Sequence, residues 1–195
     1  MQMETLIFQN YLRERTQLGN EELERIVSVA VTKVLRRHDL LLSEGEVCRY
    51  KAFIAKGLLR TFSISPDGGE HILQFSPECT WIVDAESYDK QRPSKYNIAA
   101  VEDSELLLWT KPDFDRLLAD IPQMTTFSQQ IISRAIYSTR ERLATALSAT
   151  PEERYNNFLR DTPDLLGRLP LRMIAAYLGI SLKTLTRIRH AQVHR

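Results

Sequence analysis

Several residue types are scarce in this chain, and each scarcity excludes a class of protein. Its 195 residues contain two cysteines, Cys48 and Cys79, without CxxC spacing. That excludes a disulfide framework, a zinc ribbon and a four-cysteine iron–sulfur site, and the thiols are expected to be small residues in strands. The four histidines give no HxH or HxxxH pair outside the tail, where His190 and His194 lie. A histidine-rich metal centre of the cupin kind is therefore not expected. No GxSxG, phosphate loop or HExxH is present, and the neighbouring carboxylates Glu44/Glu46 and Glu102-Asp103 fall at turns. The expectation is a protein that is not an enzyme and has no metal. No apolar run of 18 residues occurs, and the start, Met1-Gln2-Met3-Glu4-Thr5, lacks the basic and apolar regions of a signal peptide. A cytoplasmic protein is expected.

The charges that are present are unevenly placed. Net charge is +1. Arg168, Arg172, Lys183, Arg187, Arg189 and Arg195 form an acid-free C-terminal span, leaving 20 of the 26 basic residues to face all 25 acidic ones elsewhere. A near-neutral chain with a basic end points to a local polyanion site.

Periodicity divides the chain. Asn20-Glu21-Glu22-Leu23-Glu24 reads as a helix start, and Ile26, Val27, Ala30, Val31 and Val34 continue at helical spacing toward Arg36-Arg37-His38. From Asp39 to about Thr110, short apolar runs alternate with turns at Glu44-Gly45-Glu46, Lys56-Gly57, Pro66-Asp67-Gly68-Gly69 and Gln91-Arg92-Pro93-Ser94. Strands are expected over Val47–Ala55, Leu58–Ile64, Glu70–Phe75, Tyr96–Val101 and Glu105–Trp109, with a hairpin at Asp67-Gly68. Many short antiparallel strands imply a small barrel or jelly roll. Helical spacing returns after Pro112. A long helix is expected over about Pro122–Leu147, with one stripe of Met124, Phe127, Ile131 and Ala135. A second stripe, Ile132, Ile136, Thr139, Leu143 and Leu147, widens the apolar face beyond one packing surface. One side would pack on the roll and the other on a partner helix, or both within a monomeric bundle. Thr150-Pro151-Glu152-Glu153 then starts a new helix with a capping box.

The most informative segment is Leu171–Arg189. Ala175 is small where two helices would cross. Gly179 suits a left-handed helix end, Ile180 would plug the turn, and Ser181 would cap the next helix. Ile174, Leu178, Leu185 and Ile188 fall inward, leaving Leu182, Lys183, Thr184, Thr186, Arg187 and Arg189 outward. A basic, hydroxyl-bearing, acid-free face suits the DNA major groove.

Ala175-Ala176-Tyr177-Leu178-Gly179-Ile180-Ser181, with Thr184-Leu185-Thr186-Arg187-Ile188-Arg189, resembles the helix-turn-helix of the Crp/Fnr superfamily of bacterial regulators. Glu44-Gly45-Glu46, Lys56-Gly57-Leu58-Leu59-Arg60, Asp67-Gly68-Gly69-Glu70 and Glu102-Asp103-Ser104-Glu105-Leu106 extend the resemblance over residues 20–190. It implies an α+β protein: a cyclic-nucleotide-binding-like β-roll with N-terminal helix over 1–120, a dimerisation helix and hinge over 121–149, and a helix-turn-helix domain over 150–195. It implies a sequence-specific regulator that is a homodimer on a two-fold symmetric operator of double-stranded DNA, with RNA polymerase as a further partner. Leu182, Lys183 and Arg187 would meet base edges, Ser181 and Thr184 phosphates, and Arg172 and Arg189 would add to the basic face.

Two departures matter. The family's Gly-Glu and Arg-Ser pairs, which hold a cyclic nucleotide, correspond here to Val83-Asp84 and Arg92-Pro93-Ser94. Asp84, Arg92 and Ser94 can line an effector pocket, but Val83 adds bulk and Pro93 removes an N–H, which argues against a cyclic nucleotide. Six residues follow Arg189, so the β-hairpin wing that many members carry is not expected here. His71 is not assigned to haem. The alternative is a ligand-sensing or protein-interaction module without DNA binding.

Overall fold

A computed structural model describes residues 3–193, so His194 and Arg195 of the basic end lie outside the described residues. Two compact units emerge: the chain up to Ser63 with Gln74–Ile131, and Ile64–Leu73 with everything from Ile132 onward.

The strands are β1 (Val31–Leu35), β2 (Leu40–Leu42), β3 (Tyr50–Lys56), β4 (Leu59–Ile64), β5 (Glu70–Ser76), β6 (Thr80–Ile82), β7 (Asn97–Ala100) and β8 (Ser104–Thr110), all in the first unit except the last residue of β4 and the first four of β5. They form two four-stranded sheets, ordered β1-β8-β3-β6 and β2-β7-β4-β5, the double-sheet jelly roll that the short strands imply. Ile54, Leu59, Ile98, Leu106 and Leu108 belong to one apolar core of the roll. The alternate residues of the same strands, Phe53, Ala55, Leu107 and Trp109, join a second core with helices α1 (Met3–Arg13), α2 (Asn20–Ser28) and α4 (Lys111–Asp120). Strand β8 therefore buries both faces, which is why it reads as a leucine run rather than an alternating strand. Phe8 lies 4.8–4.9 Å from the Trp109 and Phe53 ring centroids, and Trp109 donates from Nε1 to the Ile26 carbonyl at 2.9 Å.

The structure corrects two expectations here. The helix starting near Asn20 does not run to Val34. It ends at Ser28, and Val31–Leu35 pairs with β8 in the register Val31↔Leu108 to Leu35↔Ser104. The β-branched Val31, Thr32 and Val34 suit a pleated surface, and β8 gains the ladder bonds an edge would lack. Gly19 is the residue that caps this helix: its N–H donates to the Glu22 carboxylate at 2.6 Å, with Asn20 already helical. Neither cysteine lies in a strand. Cys48 is buried just before β3, and Cys79 is exposed in a turn with φ +58°. Helix α3 (Ala85–Lys90) was not anticipated.

Gly57 shows how tightly the roll is closed. Its φ is +98°, and a Cβ there would lie 2.2 Å from Ser104 Oγ and 2.7 Å from the Asp103 carbonyl oxygen. Left-handed strain costs about 1–2 kcal/mol and overpacking about 1–3 kcal/mol. Gly57→Ala is thus expected to destabilise the protein by about 2–5 kcal/mol. Urea denaturation checks this, and an unchanged midpoint would show that the 103–104 backbone gives way freely.

The long helix α5 (Pro122–Ser148) begins in the first unit, where Met124 and Phe127 are buried, and continues into the second. There Ile132, Ile136, Leu143 and Leu147 are exposed, the last at 79%. The second unit also holds α6 (Pro151–Asp161), a 3-10 turn (Pro163–Leu165), α7 (Leu171–Leu178) and α8 (Leu182–Val193). Among the described residues no helix is long and apolar enough to cross a membrane.

Candidate nucleic-acid interface

The candidate interface residues lie on or beside α6, α7 and α8. Thr150 caps α6, its Oγ1 accepting from the Glu153 N–H at 3.3 Å while the Glu153 carboxylate takes the Thr150 N–H at 2.8 Å. These bonds hold the Glu153 carboxyl below its ordinary range. Arg154 spans the hinge: its guanidinium donates to the carbonyls of Ala146 (2.6 Å), Ala149 (3.1 Å) and Leu178 (3.3 Å). The end of α5, the start of α6 and the end of α7 are thus tied by one side chain.

Between α7 and α8, Gly179 has φ +66°, the left-handed helix end its lack of a side chain permits. The Ser181 Oγ accepts from the Thr184 N–H at 3.0 Å and caps α8. Ile174 and Leu185 are fully buried, and Leu178 and Ile188 nearly so. Ile180 is only half-buried. The Phe158 and Tyr177 rings, 5.6 Å apart, pack α6 on α7, and Gln192 donates to Asn156 at 2.6 Å from α8 to α6.

This packing decides what α8 presents. Ser181, Leu182, Lys183, Arg187 and Arg189 are exposed, as is Arg172 at the start of α7, whereas Thr184 and Thr186 are half-buried. The Thr186 hydroxyl donates to the Leu182 carbonyl at 2.9 Å, so it is spent within the helix. Lys183 and Arg187, four residues apart, stand one above the other, and the exposed His190 extends the row. Its place, three residues past Arg187, was the available signal. Lys183, Arg187 and Arg189 form no ion pair among the described residues. Cations free of internal partners, on a helix without acids, can donate to phosphates and to guanine O6 and N7.

The roll carries the second group of expected site residues. Asp84 and Ser94 are brought together, both buried: the Ser94 hydroxyl donates to one Asp84 oxygen at 2.5 Å. The other oxygen accepts the Ser87 N–H at 3.3 Å, capping α3. Arg92 is not brought to them. Its carbonyl accepts from the Ser87 hydroxyl at 2.6 Å, and its side chain is exposed. It lies among the cations around Glu86, whose carboxyl is held low first by Lys90 and then by Lys95 and Arg92. A separate cavity of about 400 Å³ opens in the roll, lined by Leu42, Val47, Cys48, Ile82, Val83 and Ile98 with Glu46 and Arg49. Burial pushes the Cys48 thiol up, so it stays protonated at neutral pH. Among the described residues no three His, Cys, Asp or Glu side chains gather as a metal set.

The chain thus combines a jelly roll, a long helix with an exposed apolar stripe and a helix-turn-helix formed by α7 and α8. Comparison with known proteins finds the same parts elsewhere. Residues 32–120 match the cyclic nucleotide-binding domain. A protein described as a probable transcriptional activator of Rhizobium leguminosarum bv. viciae is 23% identical over 175 residues, covering 78% of this chain and 70% of that protein. Among solved structures, FixK2 of Bradyrhizobium japonicum superposes with a TM-score of 0.73 at 19% identity, covering 85% of each chain. The c-di-GMP-responsive global regulator CLP of Xanthomonas campestris gives 0.76 at 12% identity, covering 90% of this chain and 93% of that one. The likeness therefore covers the cyclic nucleotide-binding domain over residues 32–120 and, over most of the chain, the fold of these solved regulators.

Proposed function

We propose that this protein binds a two-fold symmetric operator as a homodimer, with α8 of each copy in the major groove. The observation that carries this is the α8 surface, where Lys183 and Arg187 are stacked, exposed and unopposed by any acid. In that arrangement Leu182, Lys183 and Arg187 meet base edges, while Ser181, Thr184, Arg172 and Arg189 serve the phosphates. The dimer forms along the second half of α5, and the functional division runs 1–120 for the roll, 121–149 for helix and hinge, and 150–195 for reading DNA. The protein works in the cytoplasm, without catalysis, and acts on transcription through RNA polymerase. A signal at the roll reaches DNA through the hinge that Arg154 ties together. Asp84 and Ser94 serve the roll mainly as a buried structural pair, which favours an effector other than a cyclic nucleotide.

Selection from a random duplex pool at moderate salt tests the reading. Enrichment of an inverted repeat with half-sites about one DNA turn, ~34 Å, apart is expected. Purified dimer that enriches no sequence, with or without candidate effectors, would favour a protein-binding role for α8.

A further inference from the structure

The face of α5 opposite its exposed stripe borders a cavity of about 340 Å³, closed by α6 and α7. Successive helical residues turn by about 100°, so Glu141, Arg142 and Thr145 lie roughly half a turn from Ile136, Leu143 and Leu147. Pairing of two copies along that stripe therefore leaves the cavity open. Its size falls at the lower end of small-ligand sites, roughly 300–1,000 Å³.

The lining is apolar at one side and charged at the other. Ala146, Phe158, Tyr177 and Leu178 supply the apolar part, with the two rings tilted by 59°. Of the charged lining residues, two are committed elsewhere. Arg154 spends its guanidinium on three backbone carbonyls, and Asp161 pairs with Arg160 at 2.9 Å. Glu141 and Arg142 remain. Glu141 is exposed and has no ion-pair partner among the described residues. The Arg142 guanidinium stacks on the Tyr177 ring at 4.2 Å and donates to the Leu73 carbonyl. It has further N–H groups to give, since guanidinium carries five. A phosphate ester would meet one available cation beside a carboxylate, and a simple amine would meet the guanidinium. A zwitterion with an apolar body satisfies both charges and the apolar wall.

We propose that this cavity binds a free α-amino acid with an apolar side chain. Its carboxylate takes Arg142, its ammonium takes Glu141, and its side chain lies against Phe158 and Leu178. Ser138 and Asn157 add hydrogen-bonding groups at the rim. Such an occupant draws on the guanidinium that joins the β5 strand, α5 and Tyr177 of α7, so it bears on the placement of the helix-turn-helix. That consequence rests on the DNA-binding reading; the binding itself does not.

The test is calorimetric titration of the full-length protein, without DNA, using L-phenylalanine, phenylacetate (no ammonium) and 2-phenylethylamine (no carboxylate). L-Phenylalanine is expected to saturate one site per chain, with each analogue at least tenfold weaker. Glu141→Gln removes an exposed carboxylate without an ion-pair partner among the described residues and leaves folding intact. It should weaken L-phenylalanine about tenfold and leave phenylacetate no weaker. Absence of saturable binding by L-phenylalanine and L-leucine, phenylacetate as tight as L-phenylalanine, or indifference to Glu141→Gln would each overturn the proposal. Operator binding by the same preparation reports separately on the DNA reading.

Discussion

Replacement of Arg187 by alanine is expected to weaken operator binding by about 1–3 kcal/mol per contact, a loss of about fivefold to 150-fold for each. The expectation follows from position. Arg187 lies on the outer face of α8, with Lys183 one turn before it, while Leu185 and Ile188 hold the opposite face in the core. Its side chain has no internal partner among the described residues, so truncation costs the fold little and thermal unfolding should be unchanged. Guanidinium can donate twice to guanine, and an alanine leaves those acceptors unpaired. The loss should therefore be uneven: one position in each half-site loses its preference, while non-specific duplex is bound nearly as before. Selection with the variant in parallel with wild type, and affinities measured across salt, separate the outcomes. A uniform loss with a shallower salt dependence would make Arg187 a phosphate contact. No loss at all would remove α8 from the interface.

A second large effect is expected from the paired change Ile136→Asp and Leu143→Asp. Both side chains are about half exposed, at 47% and 58%, so aspartates there are solvated in the single chain and cost its folding little. In an α5–α5 interface the same carboxylates would meet their symmetry mates across an apolar seam. Sedimentation should report a monomer. Operator affinity should fall by roughly 10²–10⁴, the advantage of joining two half-site contacts in one molecule. A dimer that survives would move the interface away from this stripe.

Legibility in the sequence differed by element. The hairpin at Asp67-Gly68 and the capping box at Thr150 came through because each is decided within a few residues: Gly68 takes φ +83°, and Thr150 and Glu153 exchange their bonds locally. The span of α5, expected over Pro122–Leu147 and found over Pro122–Ser148, rests on an unbroken helical period. The pair Gly179 and Ser181 likewise marks its own turn. Local signals misled at Val31–Leu35. Helical spacing of Ile26, Val27, Ala30, Val31 and Val34 continued by coincidence into a segment that β8, some 75 residues later, recruits as a strand. Helix α1 is hard to read in the sequence although Phe8, Tyr11 and Leu12 recur at helical spacing, because its polar residues obscure a short apolar face.

The site divides the same way. Which residues α8 turns outward follows from its period, so Lys183, Arg187 and Arg189 were legible. The backbone commitment of the Thr186 hydroxyl and the arm of Arg154 across the hinge were not, since each needs the geometry of a folded neighbour. For the roll, nearness in sequence grouped Arg92 with Ser94 and Asp84. Tertiary structure kept the buried Asp84–Ser94 pair and sent the guanidinium to solvent beside Glu86.

The sequence by itself thus determined the order of the parts, the turn between α7 and α8 and the basic row on α8, because helical period, turn chemistry and capping act over a few residues. Only the tertiary structure decided that Val31–Leu35 is a strand, that Asp84 is spent on Ser94, and that a cavity lined by Glu141 and Arg142 opens behind α5. Those depend on groups distant in the chain competing for the same hydrogen bonds and the same buried space.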